Sequence, residues 1–214
     1  MHTITVVPSE DIQRIELAPG SWAEISLLPV QLRDLAIASW DTMWELHPAD
    51  RARVMIRDQE VECHRWSQSY LSTPSRTTDM SLSYMFSGKD ESDIQTPLPS
   101  EFQPFLAHLA DYNQVVANWY ACETDYIAPH ADCTIGMVED ARIAVVNLAP
   151  EGKTRRFVLH PKSHRHDVAH RIEIDLVHGT LIVMGGKTQD DFRHGVPKCF
   201  GASNRISLSF RQFA

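Results

Sequence analysis

His130 and Asp132 stand two residues apart in IAPHADCTIGMVED, residues 127–140, and pair an imidazole with a carboxylate. In an extended segment alternate side chains share a face, so both can turn toward one metal ion. A further imidazole would complete a two-histidine, one-carboxylate set that leaves coordination positions open to a co-substrate and oxygen. The pair alone does not establish such a site, because a chain with 11 histidines contains the spacing by chance. His194, in TQDDFRHGVPK directly after TLIVMGG, is the candidate third ligand. His160, His164, His166 and His170 crowd into LHPKSHRHDVAH among basic residues and a proline, which reads as a solvated hairpin loop. His178 precedes Gly179 and reads as a surface turn.

A second constellation lies in RISLSFR near the end of the chain. Alternation puts Arg205, Ser207, Ser209 and Arg211 on one face and Ile206, Leu208 and Phe210 on the other. A guanidinium pairs bidentately with a carboxylate, so two arginines on one face suit a dicarboxylic acid. The other reading leaves both as surface residues in exposed salt bridges.

The elements that must position these residues follow from composition and period. A chain of 214 residues suits one domain with a sizeable core. With 28 acidic and 20 basic residues the net charge is −8, which offers no global attraction for phosphate backbones; any nucleic-acid contact must be local. No apolar run approaches the ~20 residues of a membrane helix. MHTITVVPSEDIQRIEL also lacks a basic stretch followed by an apolar core, so we expect an intracellular, cytoplasmic or nuclear protein without a membrane partner, and a monomer. Cys63, Cys122, Cys133 and Cys199 show no CxxC spacing and read as free thiols.

After Pro29, residues Leu32, Leu35, Ala36, Trp40, Met43 and Trp44 recur at helical steps up to His47-Pro48. A second helix is expected over Ser100 to Tyr112. HRWSQSYLSTPS and SLSYMFSGKDESD read as short strands joined by exposed loops. Beyond Gln114, VVANWY, RIAVVNLA, RRFVLH, HRIEIDL, TLIVMG and RISLSFRQF are six β-rich runs separated by turn residues. They predict a β-sandwich or β-barrel covered by N-terminal helices, with a mouth where polar groups converge.

Taken in order, NWYACETDYIAPHAD, HGTLIVMGGKTQDDFRHGVPK and RISLSFR resemble the AlkB-type iron(II) and 2-oxoglutarate dependent dioxygenases, whose pattern is NxY, HxD, a distal histidine and RxxxxxR. MWELHP, HRWSQSY and SYMFSG extend the resemblance over roughly residues 40 to 213. It implies a mainly β fold with some helix, a double-stranded β-helix or jelly roll. It also implies a single domain: an N-terminal helical extension over 1–60, a substrate lid over 61–99 and a β-helix core over 114–213. His130, Asp132 and His194 would bind Fe(II). Arg205, helped by Tyr120, would hold the distal carboxylate of 2-oxoglutarate, with Asn118 and Arg211 near its metal-bound end. Ser207 stands where many relatives carry asparagine. The implied reaction consumes 2-oxoglutarate and O2, releases succinate and CO2, and hydroxylates a substrate C–H bond.

Two substrate classes are compatible with this. If the target is an N-alkylated base of DNA or RNA, the hydroxymethyl product falls apart to formaldehyde. Tyr84 and Phe86 in SYMFSG, with Trp66 and Tyr70 in HRWSQSY, are then the expected base contacts, and Lys153, Arg155, Arg156, Lys162 and Arg165 the local phosphate grip. Base-repair relatives place acidic residues directly after HxD, whereas Cys133 and Thr134 occupy those positions here. That departure leaves a protein side chain or a small metabolite as the alternative substrate.

Overall fold

A computed structural model of the chain describes residues 3–56, 59–72, 96–151, 154–164 and 170–214. The chain starts with β1 (Ile4–Val6), β2 (Gln13–Ala18) and β3 (Ser21–Leu27), then α1 (Val30–Ala38) and α2 (Trp40–Glu45). Next come β4 (Arg53–Ile56), β5 (Gln59–Glu62), β6 (Trp66–Leu71), α3 (Gln103–His108) and β7 (Gln114–Tyr120). The remainder is β8 (Ile127–His130), β9 (Ile143–Leu148), β10 (Arg155–Pro161), β11 (Ile172–Leu176), β12 (Thr180–Gly186), α4 (Thr188–Asp191), β13 (Phe192–Val196) and β14 (Arg205–Arg211).

All six β-rich runs are strands. Among the described residues, one sheet has the order β2-β3-β12-β9-β14-β7-β6 and the other β1-β11-β10-β13-β8. They face each other as the two layers of a jelly roll. Alternation decides which side chain goes where. Ile25, Ile143, Phe157, Leu159, Ile174 and Ile182 fill the space between the sheets. On the outer face of the larger sheet, Trp119, Leu208 and Phe210 meet Ala36, Met43, Phe102 and Phe105 from the helical side. The buried indole N–H of Trp119 donates to the Met43 carbonyl at 2.9 Å, so the helix layer is tied to the sheet by a satisfied polar contact as well as by apolar burial. With both faces covered, these central strands read as apolar runs rather than strict alternations.

The first 60 residues are not a helical extension. β3 pairs with β12 along its whole length and buries Ala23 and Ile25 between the sheets, while β1 lies parallel to β11. The start of the chain therefore completes both sheets. The expected helix after Pro29 is real but breaks at Ser39, whose φ of −103° and ψ of 13° separate α1 from α2. The second expected helix is confined to α3. Nor is all of 61–99 a lid: β6 pairs with β7 over Trp66–Leu71 and forms the edge of the larger sheet. Residues 73–95 lie outside the described residues, Tyr84 and Phe86 among them.

His178 is not a free surface residue. Its Nδ1 accepts from the Ala149 amide at 3.2 Å, which leaves Nε2 to donate to the Arg33 carbonyl at 3.0 Å and ties the turn before β12 to α1. Among the described residues, no helix is long and apolar enough to cross a membrane.

Candidate active site

β8 and β13 run antiparallel with His130 directly opposite His194, and the two rings lie 4.4 Å apart between centroids. Asp132 follows β8 and turns back between them. Its Oδ1 is 3.8 Å from His130 Nε2 and its Oδ2 is 3.7 Å from His194 Nε2. One ligand atom from each residue lies within 4.8 Å of the others, a donor set that fits a divalent iron. Each member is fixed from behind. His130 Nδ1 donates to the Ala128 carbonyl at 2.9 Å, which leaves Nε2 as the lone-pair donor. Phe157 stacks on the His194 ring at 5.2 Å and 15°. The Asp132 amide donates to Gln189 Oε1 at 2.9 Å, and its carboxylate accepts from Arg211 Nη2 at 2.8 Å.

Gly195 permits the close approach of the two strands. A Cβ there would stand 2.8 Å from the Ile127 carbonyl oxygen and 3.0 Å from the Pro129 nitrogen, both of them backbone atoms that cannot swing aside. Gly195→Ala is expected to push β8 from β13, costing about 1–3 kcal/mol of stability and weakening metal binding. Calorimetric titration with Co(II) checks this; unchanged affinity would separate the strand spacing from the site.

The site is electrostatically prepared for a cation. Burial pushes the pKa of His194 down to about 3, opposed by Asp132 and reinforced by His130 and Arg211. Burial lowers His130 as well. For Asp132 burial opposes ionisation, but the charges of Arg211, His194 and His130 outweigh it and hold the carboxyl well below its usual range. Both imidazoles are therefore neutral and the carboxylate ionised at neutral pH. The unfolded chain takes up a proton on residue 194 near pH 6.5 and the folded one only near 3. Stability of the metal-free protein should thus rise with pH across that window, and Asp132 adds to the same slope below its unfolded value of 3.8. Thermal melts of metal-free protein at pH 4 to 7 check this; a flat profile would contradict it.

From this cluster the pocket runs along paired rows of β7 and β14: Arg211 opposite Gln114, Ser209 opposite Val116, Ser207 opposite Asn118 and Arg205 opposite Tyr120. The structure brings Asn118, Tyr120, Arg205, Ser207 and Arg211 into one lining with the three metal candidates. The surface salt-bridge reading of the arginines fails, since Arg205 is 2% exposed and Arg211 4%. Arg205 lies over the Tyr120 ring at 4.5 Å, and its Nε donates to Asn147 Oδ1 at 2.5 Å. Asn147 is itself held, because its Nδ2 donates to the Leu176 and Val177 carbonyls at 2.8 Å. Arg205 Nη1 is buried without a partner among the described residues. Such a donor calls for an anionic oxygen, which the distal carboxylate of 2-oxoglutarate would supply.

The 2OG-Fe(II) oxygenase superfamily model matches residues 36–211. The chain belongs to this superfamily. The oxygenase is 27% identical over 221 residues to alpha-ketoglutarate-dependent dioxygenase alkB homolog 3 of Bos taurus, covering 96% of this chain and 72% of that one. To the Homo sapiens protein of that name it is 25% identical over 219 residues, with the same coverage of 96% and 72%. It is also 33% identical over 123 residues to DNA oxidative demethylase ALKBH2 of Arabidopsis thaliana, which spans 47% of this chain and 37% of that protein. A Burkholderia pseudomallei oxidoreductase of the 2OG-Fe(II) oxygenase family shares the fold, with a TM-score of 0.57, 15% identity and coverage of 99% and 95%. The oxygenase is thus an AlkB-type 2-oxoglutarate-dependent dioxygenase that uses Fe(II), 2-oxoglutarate and O2.

Several expected substrate contacts of the oxygenase are elsewhere. Trp66 and Tyr70 fall on the outer face of β6: Trp66 stacks on His47 at 4.4 Å and lies under the Arg51 guanidinium at 4.5 Å. Tyr70 packs edge-on against Phe102 at 5.9 Å, and burial pushes its hydroxyl up to about 12. The period of two was legible in HRWSQSY, but the aromatic residues drew attention from the polar ones that face inward. Arg65 and Ser67 line the pocket instead, and Arg65 Nε donates to Asn118 Oδ1 at 2.8 Å. Cys133 and Thr134 do not line it, and Thr134 borders a neighbouring groove with Lys187 and Asp190. The basic run is not a free phosphate grip either. Arg155 is buried and donates to the Asp125 and Cys122 carbonyls, Arg156 pairs with Glu173 and Asp175, and Lys162 donates to the Gln189 carbonyl. Lys153 and Arg165 lie outside the described residues.

Proposed function

We propose that this oxygenase removes N-alkyl groups from nucleic-acid bases by oxidation. The observation that carries the reading is the likeness along 96% of the chain to alkB homolog 3 proteins, supported by the match to a DNA oxidative demethylase. In this reading His130, Asp132 and His194 hold the iron. Arg205, steadied by Tyr120 and Asn147, receives the distal carboxylate of 2-oxoglutarate, while Asn118 and Arg211 stand beside its other end. Ser207 contributes a short hydroxyl to the same wall. When bound, the iron and its co-substrates supply oxidation of a substrate C–H bond. On an N-methyl group the product is an N-hydroxymethyl base, which collapses to the free base and formaldehyde. The protein's own part is to orient the co-substrate between two buried arginines. A nucleic-acid substrate would place the oxygenase in the cytoplasm or nucleus, acting as a monomer.

The second reading, a protein side chain or small metabolite as substrate, is favoured by one set of observations. No carboxylate follows Asp132 at positions 133 and 134, and Arg155 and Arg156 are committed to internal partners. The experiment that decides is a panel of N-methylated single- and double-stranded oligonucleotides followed by mass. Loss of the methyl group with formaldehyde release is expected. Steady consumption of 2-oxoglutarate with every oligonucleotide unchanged would transfer the substrate to the second class.

A further inference from the structure

The pocket holds a cation that neither the metal set nor the co-substrate claims. Arg205 and Arg211 belong to β14, whereas Arg65 enters from the other side of β7, just before β6 at the edge of the larger sheet. Alternation fixes its direction. Ser67 pairs with Asn118 and shares the pocket face with Arg65, while Trp66 between them turns outward to His47. Arg65 is 7% exposed, and its Nε donates to Asn118 Oδ1 at 2.8 Å, so a residue of the same wall sets the plane of the guanidinium. Its charge disfavours protonation of both His130 and Arg205, which puts it within reach of the metal candidates and of the co-substrate anchor.

The chemistry of this wall is one-sided. A guanidinium has five N–H donors and no acceptor, so a substrate group that meets Arg65 must accept. Among the described residues of the lining Asp132 is the only carboxylate, and it faces the two imidazoles and Arg211. The side-chain oxygen of Asn118 already accepts from Arg65, and Cys133 and Thr134 lie outside the lining. A divalent iron and the dianion of 2-oxoglutarate cancel in charge, which leaves one carboxylate against three guanidinium groups in the pocket. Such a pocket repels a cationic base and suits a neutral one that carries carbonyl oxygens.

We propose that Arg65 selects the lesion by donating to a carbonyl oxygen beside the alkylated ring nitrogen, so that thymine or uracil alkylated at N3 is the substrate class; the proposal rests on the nucleic-acid reading above. In these bases the alkylated nitrogen lies between two carbonyl groups, and the ring is neutral. N1-methyladenine presents an amino donor beside its alkylated nitrogen and is positively charged at neutral pH, so it meets Arg65 with a donor and a like charge. The oxygenase therefore prefers N3-methylthymine to N1-methyladenine.

The test compares wild type, Arg65→Gln and Arg65→Glu on single-stranded oligonucleotides carrying one N3-methylthymine or one N1-methyladenine, read as the ratio of kcat/KM for the two lesions. The ratio cancels any effect on co-substrate binding, because both lesions share it. Wild type should favour the thymine lesion, and the glutamine variant, which keeps a donor toward Asn118 without the charge, should lose about tenfold of that preference. The glutamate variant supplies an acceptor and a negative charge and should reverse the order. Thermal midpoints verify folding. A wild type that favours N1-methyladenine would overturn the proposal while leaving the nucleic-acid reading in place. An unchanged ratio in both variants, or an equal loss on both lesions, would assign Arg65 to the co-substrate or the wall and overturn it too. So would failure of both variants to fold, which would make Arg65 a framework partner of Asn118. If wild type consumes 2-oxoglutarate and demethylates neither oligonucleotide, the inference falls together with the nucleic-acid reading.

Discussion

Asp132→Ala is expected to abolish 2-oxoglutarate consumption and to lower stability at once. The carboxylate is the anionic member of the metal set and also the hydrogen-bond acceptor of Arg211, and both residues are buried. Its removal takes one ligand from a site whose other two donors are neutral imidazoles. The loss of activity should exceed the ~10–100-fold typical of changes to residues that only support a ligand. It also takes from a buried guanidinium the carboxylate to which it donates. Breaking a buried pair from one side costs about 3–5 kcal/mol, so the thermal midpoint should fall by many degrees. Asp132→Asn separates the two effects, because the amide can still accept from Arg211 and keeps the volume. It should recover part of the stability with none of the turnover. Metal content and succinate production of both variants check this, and turnover near wild type in either would remove Asp132 from the metal set.

Arg205→Leu should be the most selective loss of co-substrate binding. The guanidinium is held on three sides by the Tyr120 ring, Asn147 and its own strand, so its open Nη1 points at a fixed place. A buried, charge-assisted pair with a carboxylate is worth about 2–5 kcal/mol when one partner is removed, a rise of roughly 30-fold or more in the KM for 2-oxoglutarate. Metal binding should change little, because Arg205 lies six ladder pairs from Arg211, the residue that bonds Asp132. Arg205→Lys keeps a charge without the planar fork and should fall between the two. A KM unaltered by the leucine change would relocate the co-substrate's distal end.

The residues of the active site were more legible than the frame around them. His130, Asp132, His194, Arg205 and Arg211 are set by type and spacing, and the strand that carries Arg205 and Arg211 announces itself by alternation. Arg65, Asn147 and Gln189 were not foreseen, for they are single polar residues in ordinary text whose role exists only through partners 53, 58 and 57 positions away. β8 and β13 are short, and Pro129 and Gly195 weaken their strand signal; β8 tolerates its proline because it is an edge strand. The strands before α1 were missed because QRIELA and SWAEISL are brief and polar on one side, yet β3 completes the larger sheet by pairing with β12, more than a hundred residues away. Trp66 and Tyr70 misled because aromatic residues suit a base and a core equally well, and only the pleat decides between them.

In the proposed function the cluster of His130, Asp132 and His194 serves nucleic-acid demethylation. The measurement that tests it most directly is the stoichiometry of succinate and formaldehyde formed from Fe(II)-loaded protein, 2-oxoglutarate, O2 and an N-methylated oligonucleotide. Equal amounts of the two products, both lost in His194→Ala, are predicted. Succinate formed without formaldehyde from any methylated oligonucleotide, or formaldehyde persisting in His194→Ala, would contradict it.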